Sequence, residues 1–150
     1  MSGSRLQRTA VTLLGSLAVI YVILVVAVYA GQRKLLYFPS RGSVEELLGR
    51  ARAVRLEPWT DAAGKVIGWR RLAPRQPSAG TVLVLHGNAG FAAHRAGYAD
   101  DLQGVTNVDV CILEYPGYGA RDGEPTEASL FAAGDEAMAQ LSADSRVFLI

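Results

Sequence analysis

The pattern of apolar and polar positions divides the chain near residue 32. Between Arg8 and Arg33 lie 24 residues without a charge. As a helix they extend about 36 Å at ~1.5 Å per residue, more than the ~30 Å of a hydrocarbon core. A helix also satisfies its own backbone groups in lipid, which no open extended segment does. The pattern therefore predicts a tail over 1–9 and a transmembrane helix over 10–31. The protein is then expected to be a single-pass membrane protein whose partner along 10–31 is the lipid bilayer. Val28-Tyr29-Ala30 offers small residues at the positions of a signal-peptide cleavage site. The apolar core of more than twenty residues, however, exceeds the ~7–15 of a signal h-region, which favours an anchor. Arg5 and Arg8 flank one end and Arg33, Lys34 and Arg41 the other, so charge bias leaves the orientation open.

Past the anchor, residues 32–53 are expected as a juxtamembrane segment with one short helix. Ser43 and Glu46 form a capping box ahead of Leu47 and Leu48. Residues 54–150 are expected as the folded domain. It begins with strand-like runs over 54–59 and 65–72, joined by Asp61-Ala62-Ala63-Gly64, which predicts an antiparallel hairpin. Arg70, Arg71 and Arg75 are expected on a solvated face. From Thr81 the runs become continuously apolar, as in strands covered on both faces. They are Thr81–Leu85, Val108–Leu113 and Arg146–Ile150. Between them lie a helix from about Ala92 to Leu102 and a second helix capped by Thr126. The second helix shows Leu130, Ala133, Ala137, Met138 and Leu141 on one face. Strand, helix, strand, helix, strand is the rhythm of a mostly parallel α/β sheet with right-handed crossovers.

Composition changes this picture little. Half of the residues are apolar, 19% are charged and the net charge is +1, so the chain offers no basic stripe for nucleic acid. Cys111 is alone, which excludes an intrachain disulfide, and two histidines without a Cys/Asp cluster predict no metal site. No cofactor is expected. Gly117-Tyr118-Gly119 begins like a dinucleotide fingerprint, but Asp122 stands at its sixth position and Gly123 and Pro125 delay the helix.

The candidate chemistry lies in two turns. His86-Gly87-Asn88-Ala89-Gly90 follows a buried strand and precedes a helix. This small-residue corner can aim a backbone N–H at a developing oxyanion, or can simply be a strand-to-helix turn whose histidine bonds nearby backbone. The second turn reads Glu114-Tyr115-Pro116-Gly117-Tyr118-Gly119-Ala120-Arg121-Asp122-Gly123-Glu124-Pro125. Together with Leu35-Leu36-Tyr37-Phe38-Pro39, these motifs make the chain resemble the α/β-hydrolase superfamily. The resemblance is strongest to its membrane-tethered, serine-hydrolase-like branch, and it covers nearly the whole chain. It implies the N-terminal half of an α/β-hydrolase sheet. The Asn88 backbone N–H would be an oxyanion donor, and His86 a structural residue, not the catalytic base. Phe91 stands where that family commonly has asparagine, and Arg121 where it commonly has serine.

An α/β-hydrolase nucleophile sits in a G-x-S-x-G elbow, followed in chain order by its acid and histidine. None of the 150 residues forms that elbow. Ser129, Ser142 and Ser145 lack the flanking glycines and are expected as surface or cap residues; His94 is expected as a packed or solvated side chain. The chain is therefore expected to be the front part of a serine hydrolase of ester, thioester or peptide bonds. It would act on a small acyl or peptide substrate in a longer protein and be inactive alone. The alternative is a non-catalytic, membrane-tethered interaction module built from the same fold elements.

Overall fold

In the computed structural model, which describes residues 3–141 and 146–150, the apolar N-terminal stretch is a single helix, α1 (Gly3–Leu36). It takes in most of the segment expected as a tail, because nothing from Gly3 to Arg8 breaks a helix. The Thr9 and Thr12 hydroxyls donate to the carbonyls of Arg5 and Arg8, so the polar side chains are satisfied within the helix. Arg33 and Lys34 occupy the last turn, where cations complement the helix dipole. By length and composition α1 is able to cross a membrane, and none of its apolar window is buried. Contacts divide the chain into two units, 1–36 and 37–150.

The second unit is built on a five-stranded mixed sheet. Its strands are β2 (Glu57–Thr60), β3 (Val66–Arg71), β4 (Thr81–Leu85), β6 (Asp109–Leu113) and β7 (Val147–Leu149), in the order β2-β3-β6-β4-β7. A separate two-residue parallel pair joins β1 (Phe38–Pro39) to β5 (Ala89–Gly90). Strands β2 and β3 form the expected antiparallel hairpin. Its turn is organised by Asp61, whose carboxylate accepts the N–H groups of Ala63 and Lys65. β3 is antiparallel to β6, whereas β4 is parallel to both β6 and β7.

The crossovers explain the layers. Passing from β4 to β6 moves the chain to one side, and returning from β6 to β7 carries it back past β4. Two right-handed crossovers in opposite directions place their helices on opposite faces of the sheet. Alternation along the strands shows both faces filled. Val82, Val84, Val110, Ile112 and Trp69 pack under α2 (Val44–Ala53), the 3-10 turn Ala92–Arg95 and α3 (Ala96–Val105). Leu83, Cys111, Leu113 and Ile67 pack under α4 (Glu127–Leu141) through Ala133 and Ala137. Because apolar residues are needed on both faces, the strands read as continuous apolar runs. Burial pushes the Cys111 thiol up to about 12, so it stays protonated as a small core group.

Three particulars differ from the sequence expectation. The helix expected over 92–102 opens as a 3-10 turn before becoming α-helical. The segment 32–53 expected as juxtamembrane is divided, because α2 supplies Leu47 and Ala51 to the core of the second unit. Its capping box is present, with the Ser43 hydroxyl accepting the Glu46 N–H at 3.2 Å. Arg71 is not on a solvated face: its side chain is 11% exposed and braces the carbonyls of Val54 and Arg55 and the carboxylate of Asp100. Ser142 and Ser145 lie outside the described residues.

Candidate functional site

In open α/β sheets, ligands bind beyond the carboxyl ends of neighbouring strands whose outgoing connections part to opposite faces. Strands β4 and β6 are such a pair. The turn after β4 is His86–Gly90 and the loop after β6 is Glu114–Pro125, so the two candidate motifs converge at one end of the sheet. The carboxyl end of β7 adjoins them: the Leu85 N–H donates to the Ile150 carbonyl at 2.8 Å, and the Ile150 N–H donates to the Leu83 carbonyl at 3.0 Å.

Beneath these turns lies a buried polar pair. Glu114 is 2% exposed and follows β6 directly. Its carboxylate accepts the Ala92 N–H, with contacts of 3.0 and 3.2 Å to its two oxygens, and so caps the 3-10 turn. His86 Nε2 lies 3.2 Å from Glu114 Oε1, close enough for an ion pair though not aligned as a hydrogen bond. Its Nδ1 lies 2.8 Å from the Gly87 carbonyl, and the ring meets Tyr115 and Tyr118 edge-on. Gly119, at φ +54°, passes directly over the carboxylate. A Cβ there would lie 2.3 Å from Glu114 Oε2, so no side chain fits.

Asn88 is held from two directions. Its side-chain oxygen accepts the Phe38 N–H at 3.2 Å, and the Tyr118 hydroxyl lies 3.0 Å from both that oxygen and the Asn88 carbonyl. Burial raises the pKa of Tyr118, which keeps the phenol a donor, and burial also raises Tyr115. The β1 segment acts as a strap across both turns. Phe38 and Pro39 pair with Ala89 and Gly90, the Gly119 N–H donates to the Ser40 carbonyl, and the Gly42 N–H donates to the Gly119 carbonyl. Arg121 clamps the second loop by donating to the Glu114 carbonyl at 2.8 Å and to Glu136 of α4 at 2.5 Å. An open cavity of about 430 Å³ lies alongside, lined by Tyr37, Leu85, Tyr115, Leu130 and Phe131, with Glu127 and Asp135 on α4.

The remaining sequence candidates have structural partners. Phe91 is buried and stacks on His94 at 3.6 Å between ring centroids, a packing task that asparagine would not perform. Ser129 and Thr126 exchange backbone-to-hydroxyl bonds of 2.9 and 3.0 Å, and the Ser129 hydroxyl also donates to the Glu124 carbonyl; both residues cap α4. Sequence reasoning passed over Glu114, Tyr118 and the pairing by Phe38–Pro39. The one available signal was an acidic residue directly after a fully apolar strand, which is where a buried capping carboxylate would stand.

No protein-family profile matches the chain. Two strains of Mycobacterium tuberculosis each carry a protein described as uncharacterized that is 36% identical over 123 residues, covering 80% of this chain and 43% of the relative. Protein bem46 of Schizosaccharomyces pombe is 42% identical over 50 residues, covering 33% of this chain and 17% of that protein. The chain thus spans less than half the length of the curated relatives it matches.

Proposed function

We propose that this chain forms the oxyanion side of a membrane-anchored serine hydrolase of the α/β-hydrolase type. The observation that carries this reading is the juncture of β4, β7 and the Asn88 turn. The carboxyl end of β7 is hydrogen-bonded to Leu85, so a nucleophile turn following β7 would emerge beside the His86–Gly90 corner. The short similarity to bem46 and the motifs resembling α/β-hydrolases support the same class.

In this mechanism a serine following β7 attacks the acyl carbonyl and passes its proton to a histidine. The carbonyl oxygen becomes an oxyanion met by the Asn88 backbone N–H and by the N–H after the serine. The alkoxide, thiolate or amine then leaves with that proton, and water releases the acyl group by the same steps. Leu85, Tyr115, Leu130 and Phe131 offer an apolar wall for a small acyl or peptide substrate. Tyr118 positions Asn88 through its hydroxyl and touches no reacting atom.

Two expected outcomes follow. The 150-residue polypeptide neither turns over a fluorogenic ester nor labels with a fluorophosphonate. A longer polypeptide carrying residues 1–150 does both, and Tyr118→Phe lowers its kcat by about 10² through displacement of the turn. Turnover by the 150-residue chain, abolished by the probe, would defeat the assignment of the nucleophile to a turn beyond β7. For the anchor, α1 should hold the chain in membranes through an alkaline carbonate wash and release it only into detergent. Release by carbonate alone would rule out a spanning helix.

A further inference from the structure

Away from the carboxyl ends of β4 and β6, the hairpin edge of the sheet carries a second feature that the hydrolase reading does not use. The end of α2 and the strands β2 and β3 line an open cleft of about 320 Å³ whose lining includes Arg52, Arg55, Arg70 and Arg71. Four arginines stand here against two carboxylates, Glu57 in the lining and Asp100 beside Arg55 and Arg71, so positive charge is in excess. The arginines are not equivalent. Arg71 is the floor, committed to the backbone of Val54 and Arg55 and to Asp100. Arg70 uses its Nε on Glu57, and Arg55 uses one terminal nitrogen on Asp100 at 2.6 Å. Arg52 is exposed and forms no ion pair among the described residues. Each of the last three keeps N–H donors of its planar fork available.

Backbone geometry singles out one of them. Arg55 has φ +59°, the one non-glycine residue at positive φ among those described. It directly follows the C-cap Val54 of α2, a place where helices ordinarily put glycine because any side chain costs free energy there. Its side chain is 76% exposed, so packing does not explain why an arginine stands in that conformation. What the position does achieve is to place the Arg55 side chain, held by Asp100, in the lining of the same cleft as Arg52 and Arg70.

We propose that this cleft is a binding site for a phosphate group, held bidentately by Arg52 and Arg55 with Arg70 at the side. Arginine forks match the oxygens of phosphate in both geometry and charge. The phosphate is that of an anionic phospholipid headgroup or of a small soluble phosphomonoester; both present the same oxygens. Asp100 holds Arg55 and Arg71 and Glu57 holds Arg70, and Asp100 stays ionised because the Arg71 hydrogen bond and charge hold its carboxyl below the usual range.

The test is calorimetric titration of the full chain in neutral detergent micelles at constant ionic strength. The ligands are inorganic phosphate, glycerol phosphate and short-chain phosphatidic acid. The variants are Arg52→Gln and Arg55→Gly, with Arg75→Gln, outside the cleft, as control. Saturable binding is expected, weakened at least tenfold by each cleft variant and unchanged by the control. Arg55→Gly should keep or raise the unfolding midpoint, since glycine relieves the positive φ, which separates loss of ligand contact from loss of fold. Equal affinity for all three ligands would assign the site to free phosphate, and binding of phosphatidic acid alone to a lipid headgroup. Absence of saturable binding, or binding insensitive to both cleft variants, overturns the proposal.

Discussion

Replacing Glu114 by alanine should destabilise the second unit by about 2–5 kcal/mol, from ~1–3 kcal/mol for leaving a buried donor without its acceptor together with the cost of the space left by the side chain. Urea unfolding of the full chain in detergent reads this directly, because the two tryptophans, Trp59 and Trp69, are both buried in the sheet. Several groups lose their partner at once. The Ala92 N–H loses the acceptor that caps the 3-10 turn, and His86 loses the carboxylate beside Nε2. The space below Gly119 also opens. The companion Glu114→Gln keeps the shape and a carbonyl oxygen for Ala92, so it should cost only about 1 kcal/mol, the scale of one altered hydrogen bond. Equal losses for the two variants would mean that charge, and not filling and capping, is what the site requires. No loss for alanine would show that the buried carboxylate is dispensable to the fold.

The second large effect is expected in the middle of the sheet. Gly68 pairs with Leu113, and a Cβ built on it would lie 2.3 Å from the Ile112 carbonyl oxygen and 3.0 Å from the Trp59 ring. The obstacle is a strand backbone, which cannot rotate aside as a side chain would. Gly68→Ala should therefore cost at least about 3 kcal/mol, the upper end for overpacking, through separation of β3 from β6. Gly97→Ala is the counter-test. Gly97 lies in α3 with open space around its Cα, so alanine there should add about 0.5–1 kcal/mol. A neutral Gly68→Ala would mean that the two strands are not held at this register.

These two positions also mark where the sequence was legible and where it was not. The strands β4 and β6 were readable because burial on two faces demands unbroken apolar runs, and Thr81–Leu85 and Asp109–Leu113 supply them, whereas β7 carries the same kind of run with Phe148 and Leu149 exposed. The hairpin was readable from Asp61 and Gly64. The convergence of the His86 turn with the Glu114 loop followed once the crossovers were known. Hidden features were those whose cause lies far along the chain. Phe38-Pro39 has no strand periodicity, since its pairing is two residues long and its partners lie about fifty positions later. Arg121 looked like a departure from a small polar residue, whereas its guanidinium ties the loop to Glu136, a contact that requires α4 to be in place. Arg71 looked solvated because it stands with Arg70 and Arg75 in an arginine-rich stretch; its enclosure comes from Val54, Arg55 and Asp100.

The strap from Phe38 to Gly42 bears on the order in which the protein takes shape. Its acceptors and donors are synthesised long after it: Asn88 stands 50 residues further on and Gly123 stands 82 beyond Arg41. Closing such long loops costs chain entropy that neighbouring contacts do not repay until the two turns already exist. The stretch that leaves the ribosome just after α1 is thus among the last to settle. That stretch stays unsatisfied in the nascent chain, open to chaperones and proteases, until the Glu114 loop arrives to receive it.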